Sequence, residues 1–344
     1  MVITSGMCTA SFHEIEEETG VPVYRGPRHA ADLGMILRLL DMIELSRDIP
    51  ADDLLVRVRT REAAERIQRL EEQAVPSFFI REVKIGGGSR MKVLAEIMDA
   101  HHHPDIRGMV ERFFTDGADI VDLGFGFDAT PDDVKRVFQE LEDLPGPLAA
   151  DTQNPDLIRA ALFRADLILS LHADNLKQAG QAVADSGTAA VIIPEGSTLS
   201  EAIRQASLLG ITRIIADPII QPAGSGLVSS LCGFSDLPCP LFFGAGNVTE
   251  LIDADSIGVN ALLAAMAHEL RASVIFCSEH SDKTRGSVAE MRRATEMMML
   301  TGDRPYAKDL GIDLFCIKEK RRRREPPLEY RSVIEAEPMP AEIC

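Results

Sequence analysis

Short aliphatic runs recur along the middle of the chain, and stretches with helical periodicity separate each run from the next. The runs are almost continuously apolar instead of alternating with polar residues, which is typical of strands buried on both faces of a parallel sheet. Eight such runs are found, at Lys92–Met98, Ala118–Leu123, Pro147–Asp151, Ala165–His172, Ala189–Pro194, Thr212–Asp217, Pro240–Gly244 and Ala272–Cys277.

The stretches between the runs carry helix start signals. Thr130 with Pro131, and Asn154 with Pro155, each precede an amphipathic stretch. A capping side chain followed by proline in the first turn favours the start of a helix. Eight strand-and-helix units predict an α/β fold, the (β/α)8 TIM barrel. A doubly wound sheet is the alternative, but no glycine-rich dinucleotide fingerprint follows the first run.

The repeat divides the chain into three parts. Residues 90–303 form the predicted barrel, and residues 304–344 form a C-terminal extension that we expect to be partly loose, with a basic run at Arg321–Arg324 that is typical of a solvated face. Residues 1–85 predict a small α/β N-terminal domain, which we expect to be incomplete because the chain opens almost directly into a strand. In that domain the pattern predicts strands at Met1–Ile3 and Leu54–Arg59 and helices at Ala31–Leu45 and Arg61–Gln73.

Composition narrows the range of partners. The chain has 344 residues, with 54 Asp and Glu against 36 Lys and Arg, for a formal net charge of −18. This charge disfavours nucleic acid and anionic membrane surfaces. No apolar stretch is long enough to span a membrane, and no secretory signal opens the chain, so we expect a cytoplasmic protein. The six cysteines form no CxxC pair. We therefore expect no disulfide, no structural zinc site and no metal-binding residues in the protein itself.

Polar side chains stand where the predicted strands end, which is where barrel enzymes build their active sites. These residues are Glu96, Asp122, Asp151, Ser170, Asp217 and Asn247. Burying several carboxylates at one barrel mouth is costly unless they meet hydrogen-bond donors, so the pattern predicts a donor-rich ligand. A planar heterocycle with amino and ring N–H groups, such as a pterin, is one such ligand.

Four motifs resemble, in order and spacing, the strand ends of the pterin-binding barrels, a superfamily of dihydropteroate synthases and corrinoid-linked methyltransferases of methyltetrahydrofolate and methyltetrahydromethanopterin. The motifs are Gly117–Gly126, Leu148–Leu162, Ile214–Gly226 and Leu241–Leu251. The segments Gly26–Gly34, Met91–Ala100, Gly246–Ala264 and Glu279–Val288 look most like the dihydropteroate synthase-related proteins of methanogens and some methylotrophs.

The resemblance implies roles for individual residues. Asp151 and Asp217 match the aspartates that hold the pterin edge, Glu96 and Asp122 match polar positions on the first two strands, and Ser170 replaces an asparagine. Gly246-Asn247-Val248 replaces the synthases' Ser-Arg-Lys, and Asn247 instead resembles the methyltransferase asparagine that approaches the reactive pterin nitrogen. Asp122 and Asn247 are the candidate catalytic residues. The candidate anion site, beyond the last strand, consists of His280, Lys283 and Arg285.

Several functions fit this resemblance. The first is a dihydropteroate synthase-like transferase of folate- or tetrahydromethanopterin-type coenzyme biosynthesis or C1 metabolism. It would join a reduced pterin to an arylamine, with Mg²⁺ where the pterin carries pyrophosphate. The alternatives are a methyl-pterin methyltransferase with a corrinoid protein as partner and a pterin-binding protein without catalysis. A metal-dependent, amidohydrolase-like enzyme using His101, His103, His172 and His280 is a further alternative.

The stretch Ser256–Leu270 is apolar around too much of its circumference for a helix with one solvent-facing side. Its small residues point to contact with another protein surface. We therefore expect a homodimer formed through the last helices. Burial of the same helix under the N-terminal domain is the alternative.

Overall fold

The computed structural model describes residues 1–41, 43–234, 237–302, 306–308 and 310–315. The basic run Arg321–Arg324, and with it most of the predicted C-terminal extension, lies outside the described residues. None of the helices within the described ranges is long and apolar enough to cross a membrane.

The N-terminal part of the chain is a small α/β region. It contains a parallel strand pair and three helices, followed by an antiparallel hairpin. In chain order these elements are β1 (Val2–Thr4), α1 (His13–Thr19), β2 (Val23–Arg25), α2 (Leu33–Arg38), α3 (Ala51–Gln73), β3 (Phe78–Ile80) and β4 (Val83–Ile85). The predicted division of the chain at residue 85 stays a prediction, although the hairpin packs into the barrel, as described below.

The predicted strand Leu54–Arg59 is wrong, because these residues lie inside α3. The alternation of valine and arginine in this stretch imitates a strand. The residues that pack against α2 and the segment after it are instead Ala51, Leu55 and Val58, at helical spacing of four and three residues. The predicted helix Ala31–Leu45 is also too long, since the α-helix is limited to Leu33–Arg38.

The predicted TIM barrel is confirmed. Eight parallel strands close into a barrel in sequence order, and the last pairs with the first. The strands are β5 (Lys92–Ile97), β6 (Ile120–Gly124), β7 (Leu148–Asp151), β8 (Leu167–Leu171), β9 (Ala189–Ile192), β10 (Ile214–Ala216), β11 (Leu241–Phe243) and β12 (Ala272–Ser278).

Nine helices follow β5 in the described chain, and most of them surround the barrel. They are α4 (Ile106–Asp116), α5 (Pro131–Glu140), α6 (Pro155–Ala161), α7 (Ala173–Ser186), α8 (Leu199–Leu208), α9 (Leu227–Ser230), α10 (Gly246–Thr249), α11 (Ser256–Glu269) and α12 (Ser287–Thr301). The predicted start signals work as expected: Thr130 forms a capping box with Asp133 at α5, and Asn154 caps α6.

Side chains along each strand point alternately into the barrel and toward the helices. On β5, Val93 and Ala95 pack in the layer between strands and helices, whereas Leu94 packs inside the barrel. The β3–β4 hairpin closes the N-terminal end of the barrel, because Ile80 and Ile85 are fully buried among the inward-facing apolar residues. The barrel is therefore closed at its floor and polar at its opposite end.

Helix α11 packs against α12. Its buried positions include Asn260, Leu263, Ala264 and Ala267, while Leu262 on the outer side is 63% exposed. The helix therefore presents apolar side chains both to the barrel and outward. The predicted homodimer through this helix stays a prediction.

Candidate functional site

Four carboxylates lie at the C-terminal mouth of the barrel, three of them on the adjacent strands β5, β6 and β7 and the fourth after β10. Glu96 on β5 pairs in register with Asp122 on β6, and Gly124 pairs with Asp151 on β7. One oxygen from each of Glu96, Asp122 and Asp151 lies within 4.8 Å of the others. Asp217 directly follows β10, and the charge of Asp151 contributes to its raised pKa. The structure therefore brings together the four acidic residues that the strand ends predict.

Asp122 is the deepest of these carboxyls. It is 0% exposed, and neither side-chain oxygen has a hydrogen-bond partner within the described part of the chain. Burial, together with the nearby charges of Asp151 and Glu96, raises its pKa well above the usual value. A buried carboxyl without donors is costly. The side-chain oxygens of Asp122 are therefore available to accept a hydrogen bond from a ligand.

Asp151 is held by an unusual backbone conformation in the next strand. The Ser170 hydroxyl donates to Asp151 Oδ1 at 3.0 Å, and Ser170 has φ +63°, in the left-handed region. Strand pairing shifts its register at this point. Asn175 Nδ2 donates to the Ser170 carbonyl at 3.2 Å, which supports the turn. Burial raises the pKa of Asp151, although the Ser170 hydrogen bond opposes the shift.

Asp217 is fixed by a second strained segment. Its Oδ1 accepts the Ile219 N–H at 2.8 Å, and Ile219 has φ +62°, which is rare for a β-branched residue. Burial raises the pKa of Asp217 to about 7, against the opposing Ile219 hydrogen bond. Such backbone strain often concentrates at functional sites. It supports the interpretation of this strand end as part of a site.

Sequence reasoning missed Glu250, which belongs to the same mouth. It accepts hydrogen bonds from Ser278 Oγ at 2.9 Å, Thr284 Oγ1 at 2.7 Å and the His280 N–H at 3.0 Å. Burial, then the charges of Asp151 and Glu250, raise the pKa of Glu96 to about 7. Glu250 lies inside the motif Leu241–Leu251, so its position after β11 was the available signal.

A cavity of about 470 Å³ opens at this mouth. Glu96 and Asp151 supply its acid groups, together with Asp99, and Phe125 and Phe127 supply aromatic surface. No lysine, arginine or histidine in the described part of the chain lines it. Asp122 and Asp217 are buried next to these lining carboxylates. The cavity therefore offers many acceptors and flat apolar surface, with no cation to neutralise the acceptors.

A larger cavity, of about 640 Å³, lies at the opposite end, between α3, α12 and the barrel floor. Its most buried charged groups are already paired, since Lys92 Nζ lies 2.6 Å from Glu71 Oε1 and Arg90 pairs with Asp119. Paired charges leave little unmet demand for a ligand. The smaller cavity, with its unpaired acceptors, is therefore the better candidate site despite its size.

The remaining predicted site residues surround this mouth less closely. Asn247 is exposed on α10, with Nδ2 against Gly244 at the end of β11. Lys283 Nζ donates to the Ile252 carbonyl at 2.6 Å and lies 3.5 Å from Asp253. His280 and Arg285 are exposed in the same segment. Of the proposed anion trio, Lys283 is therefore already engaged by the loop before α11.

The histidines do not assemble a hydrolase centre. His101 and His102 both face Asp128, and His103 Nδ1 accepts the Asp105 N–H at 3.2 Å. His172 caps α7, where its Nδ1 accepts the Asp174 N–H.

Two groups of donors in the described chain could hold a metal ion. One is Glu96, Asp122 and Asp151, an all-oxygen set that suits a hard cation such as Mg²⁺. The other is the group of His101, His102 and Asp128. Cys8, Cys239 and Cys277 are free thiols.

Comparison with solved structures finds a similar fold in dihydropteroate synthases. The chain superposes on dihydropteroate synthase of Yersinia pestis bound to a pterine-sulfa conjugate, with a TM-score of 0.52, 19% identity, and coverage of 64% of this chain and 97% of that one. The enzyme of Thermus thermophilus gives a TM-score of 0.52 at 17% identity, with coverage of 64% and 97%. That of Vibrio fischeri gives 0.51 at 16%, with 64% and 96%.

Comparison of sequences gives the family. No protein-family model matches the chain. Uncharacterized protein MJ0107 of Methanocaldococcus jannaschii is 35% identical over 353 residues, which covers 94% of this chain and 67% of the relative. The chain therefore belongs to the family of this Methanocaldococcus jannaschii protein, and its barrel shares its fold with the dihydropteroate synthases.

Proposed function

We propose that the protein binds a reduced pterin at the C-terminal mouth of its barrel and acts as a dihydropteroate synthase-like transferase. The reaction would belong to biosynthesis of a folate- or tetrahydromethanopterin-type coenzyme or to C1 metabolism, in the cytoplasm. One observation carries the proposal: buried carboxylates with unmet acceptor capacity line or adjoin a cavity without basic side chains among its described lining residues.

A reduced pterin fits these acceptors chemically. Its amino group and ring N–H groups are donors arranged along one edge of a flat ring, so two or three carboxyls can each accept one hydrogen bond. In this proposal Asp151 and Asp217 hold the edge, and Asp122 supplies the deepest acceptor. Phe125 and Phe127 cover apolar ring surface. Ser170 acts through Asp151, and Glu96 completes the acidic wall.

In the synthase-like reaction, the amine nitrogen of an arylamine forms a bond to the methylene carbon of the pterin as the bond from that carbon to pyrophosphate breaks. The amine proton passes to an ionised carboxylate of the mouth. Pyrophosphate leaves with the bonding electron pair, and His280, Lys283 and Arg285 are the candidate cations near it. Mg²⁺ would balance the pyrophosphate charge, with Glu96 among the available oxygen ligands.

A second candidate function is methyl transfer from a methylated pterin to a corrinoid protein. The observation that favours it is Asn247, exposed after β11 in the segment where, by the resemblance, Gly246-Asn247-Val248 replaces the synthases' Ser-Arg-Lys. An asparagine there could steady the protonated ring nitrogen as the methyl group leaves. Binding without catalysis is the remaining alternative, and it rests on the same acceptors.

The test is a fluorescence or native mass spectrometry titration with reduced pterins, with and without a pyrophosphate group. Asp151→Asn and Asp217→Asn should each weaken binding about tenfold or more, because hydrogen bonds to charged acceptors contribute roughly 1.5–3 kcal/mol. Asp132→Asn is the control, since that side chain is 93% exposed on α5. If no reduced pterin binds the folded protein at millimolar concentration, the proposal fails.

We also propose that two copies of the chain associate through α11. The supporting feature is its outward apolar surface, where Leu262 is 63% exposed. Light scattering on the full chain should give twice the monomer mass, and Leu262→Glu should return it to the monomer mass. A monomer at all concentrations tested would refute the dimer.

A further inference from the structure

Two adjacent histidines face one carboxylate at the rim of the mouth. His101 Nε2 lies 3.3 Å from Asp128 Oδ1, and His102 Nε2 lies 2.7 Å from Asp128 Oδ2. The two imidazole rings are 4.0 Å apart, tilted by 37°. Donor atoms from all three residues lie within 4.8 Å of one another. Two imidazole nitrogens and a carboxylate oxygen that converge on one position form a ligand set that first-row divalent metals favour.

His101 is poorly satisfied by the protein alone. Its side chain is 3% exposed, its Nδ1 has no hydrogen-bond partner within the described residues, and its Nε2 contact to Asp128 is long. Buried polar groups normally have good partners. The Nε2 of this buried imidazole therefore makes only a long contact with Asp128, which a cation bound between the two residues would replace.

The absence of a side chain at Gly126 lets two carboxylates approach the same point. A Cβ atom on Gly126 would lie 2.7 Å from Asp99 Oδ1 and 3.1 Å from Asp128 Oδ1, so any larger residue would displace one of the carboxylates. Asp99 therefore approaches the same place as Asp128. A divalent cation would balance the charge of these two carboxylates.

We propose that His101, His102 and Asp128 bind one divalent transition-metal ion of the zinc or cobalt class, with Asp99 as a nearby fourth oxygen donor. The site joins the turn after β5, at Ala100–His102, to the loop after β6. Both segments contribute to the cavity wall, through Asp99 and through Phe125 to Phe127. The ion would fix the two loops against each other and so shape the mouth. This inference stands independently of pterin binding.

The ligand set separates this site from the acidic cluster. Glu96, Asp122 and Asp151 offer only oxygen, which hard cations prefer, whereas imidazole nitrogen favours zinc and cobalt. Cobalt has the further advantage of a visible absorption that reports its coordination. The identity of the bound ion and the effect of substitutions can therefore be read in one titration.

The experiment uses the full chain, without a histidine tag and freed of metal, titrated with Co²⁺. We expect one equivalent to bind with a visible absorption band, and millimolar Mg²⁺ should not displace it. His102→Ala and Asp128→Asn, both at exposed side chains, should lose the band or weaken binding more than tenfold. His103→Asn should keep it, because this neighbouring side chain only accepts the Asp105 N–H.

Other outcomes would overturn the proposal. These are no saturable Co²⁺ binding, an unchanged titration in both His102→Ala and Asp128→Asn, displacement by Mg²⁺, or loss of the band in Glu96→Gln while His102→Ala retains it. Because His101 is buried, His101→Gln is tested by thermal unfolding. Zn²⁺ should raise the melting temperature of the wild-type chain and should not raise that of His101→Gln. The rise should also be absent in His102→Ala, which keeps the buried His101 ring. Pterin titration of the same variants distinguishes a failed metal site from a failed pterin site.

Discussion

The hydroxyl of Ser170 donates to Asp151 Oδ1 at 3.0 Å from a backbone with φ +63°. The carboxyl at one strand end is thus oriented by a residue that its own strand holds in an unfavourable conformation. A non-glycine residue in this region costs roughly 1–2 kcal/mol. The strain and the hydrogen bond can be separated by substitution.

Ser170→Gly and Ser170→Ala provide that separation. Both remove the hydroxyl, so both should weaken pterin binding by a similar factor. Only glycine relieves the backbone strain, so Ser170→Gly should be more stable than Ser170→Ala by about 1 kcal/mol. Urea unfolding measures the difference. Equal stabilities would mean that the left-handed conformation does not exist in solution.

Stability should fall as pH rises from about 4 to about 7. Burial raises the pKa of Glu96 and of Asp217 to about 7, from ordinary values of 4.5 and 3.8. Between pH 4 and pH 7 these two groups hold more protons in the folded state than in the unfolded state. The free energy of unfolding therefore falls as the pH rises. Each group contributes a slope of up to about 1.4 kcal/mol per pH unit.

Variants isolate this effect from other titrations. Asp217→Asn and Glu96→Gln should each flatten the dependence of the unfolding free energy on pH between 4 and 7. Asp132→Asn, at an exposed position, should leave the slope as it is. A slope that is the same in all four proteins would contradict the raised pKa values.

The two residues of the ion pair at the barrel floor, Lys92 and Glu71, should differ in how much stability their substitution costs. Lys92 is 2% exposed and pairs with Glu71 of α3 at 2.6 Å. Glu71→Ala leaves a buried ammonium with a hydrogen bond to the Arg90 carbonyl, at 2.7 Å, but without its paired carboxylate, and should cost about 3–5 kcal/mol. Lys92→Met replaces the ammonium with an apolar chain and should cost much less. Chemical denaturation of both variants and of the double variant gives the comparison. A smaller loss of unfolding free energy in Glu71→Ala than in Lys92→Met would contradict the ion pair.

Salt should distinguish the two transferase functions. A pterin that carries pyrophosphate should bind more weakly as ionic strength rises, because exposed cations such as Arg285 contribute to holding it. Arg285→Ala should then weaken that ligand alone. A methylated pterin should respond little to either change. Equal salt dependence for both ligands would remove the anion site from the proposal.

The sequence predicts the barrel well because its strands are continuous apolar runs with acidic residues at their ends. Glu96, Asp122, Asp151 and Asp217 could be found for the same reason, since strand ends converge in this architecture. The N-terminal elements were harder, because the valine and arginine alternation near Leu54 imitates a strand. Glu250 and Asp128 lie in loops, and only the tertiary fold brings them to their partners. The left-handed conformation of Ser170 has no sequence signal, because serine rarely adopts it.

The hairpin under the barrel has a kinetic consequence. Ile80 and Ile85 seal the floor, so every molecule that reaches the carboxylates must enter and leave through one opening. A ligand seated against Asp122 would lie behind any second reactant, and that reactant would block its escape. A two-substrate reaction in a barrel with one opening is expected to follow an ordered kinetic mechanism. The innermost ligand would bind first, and the product formed from it would leave last.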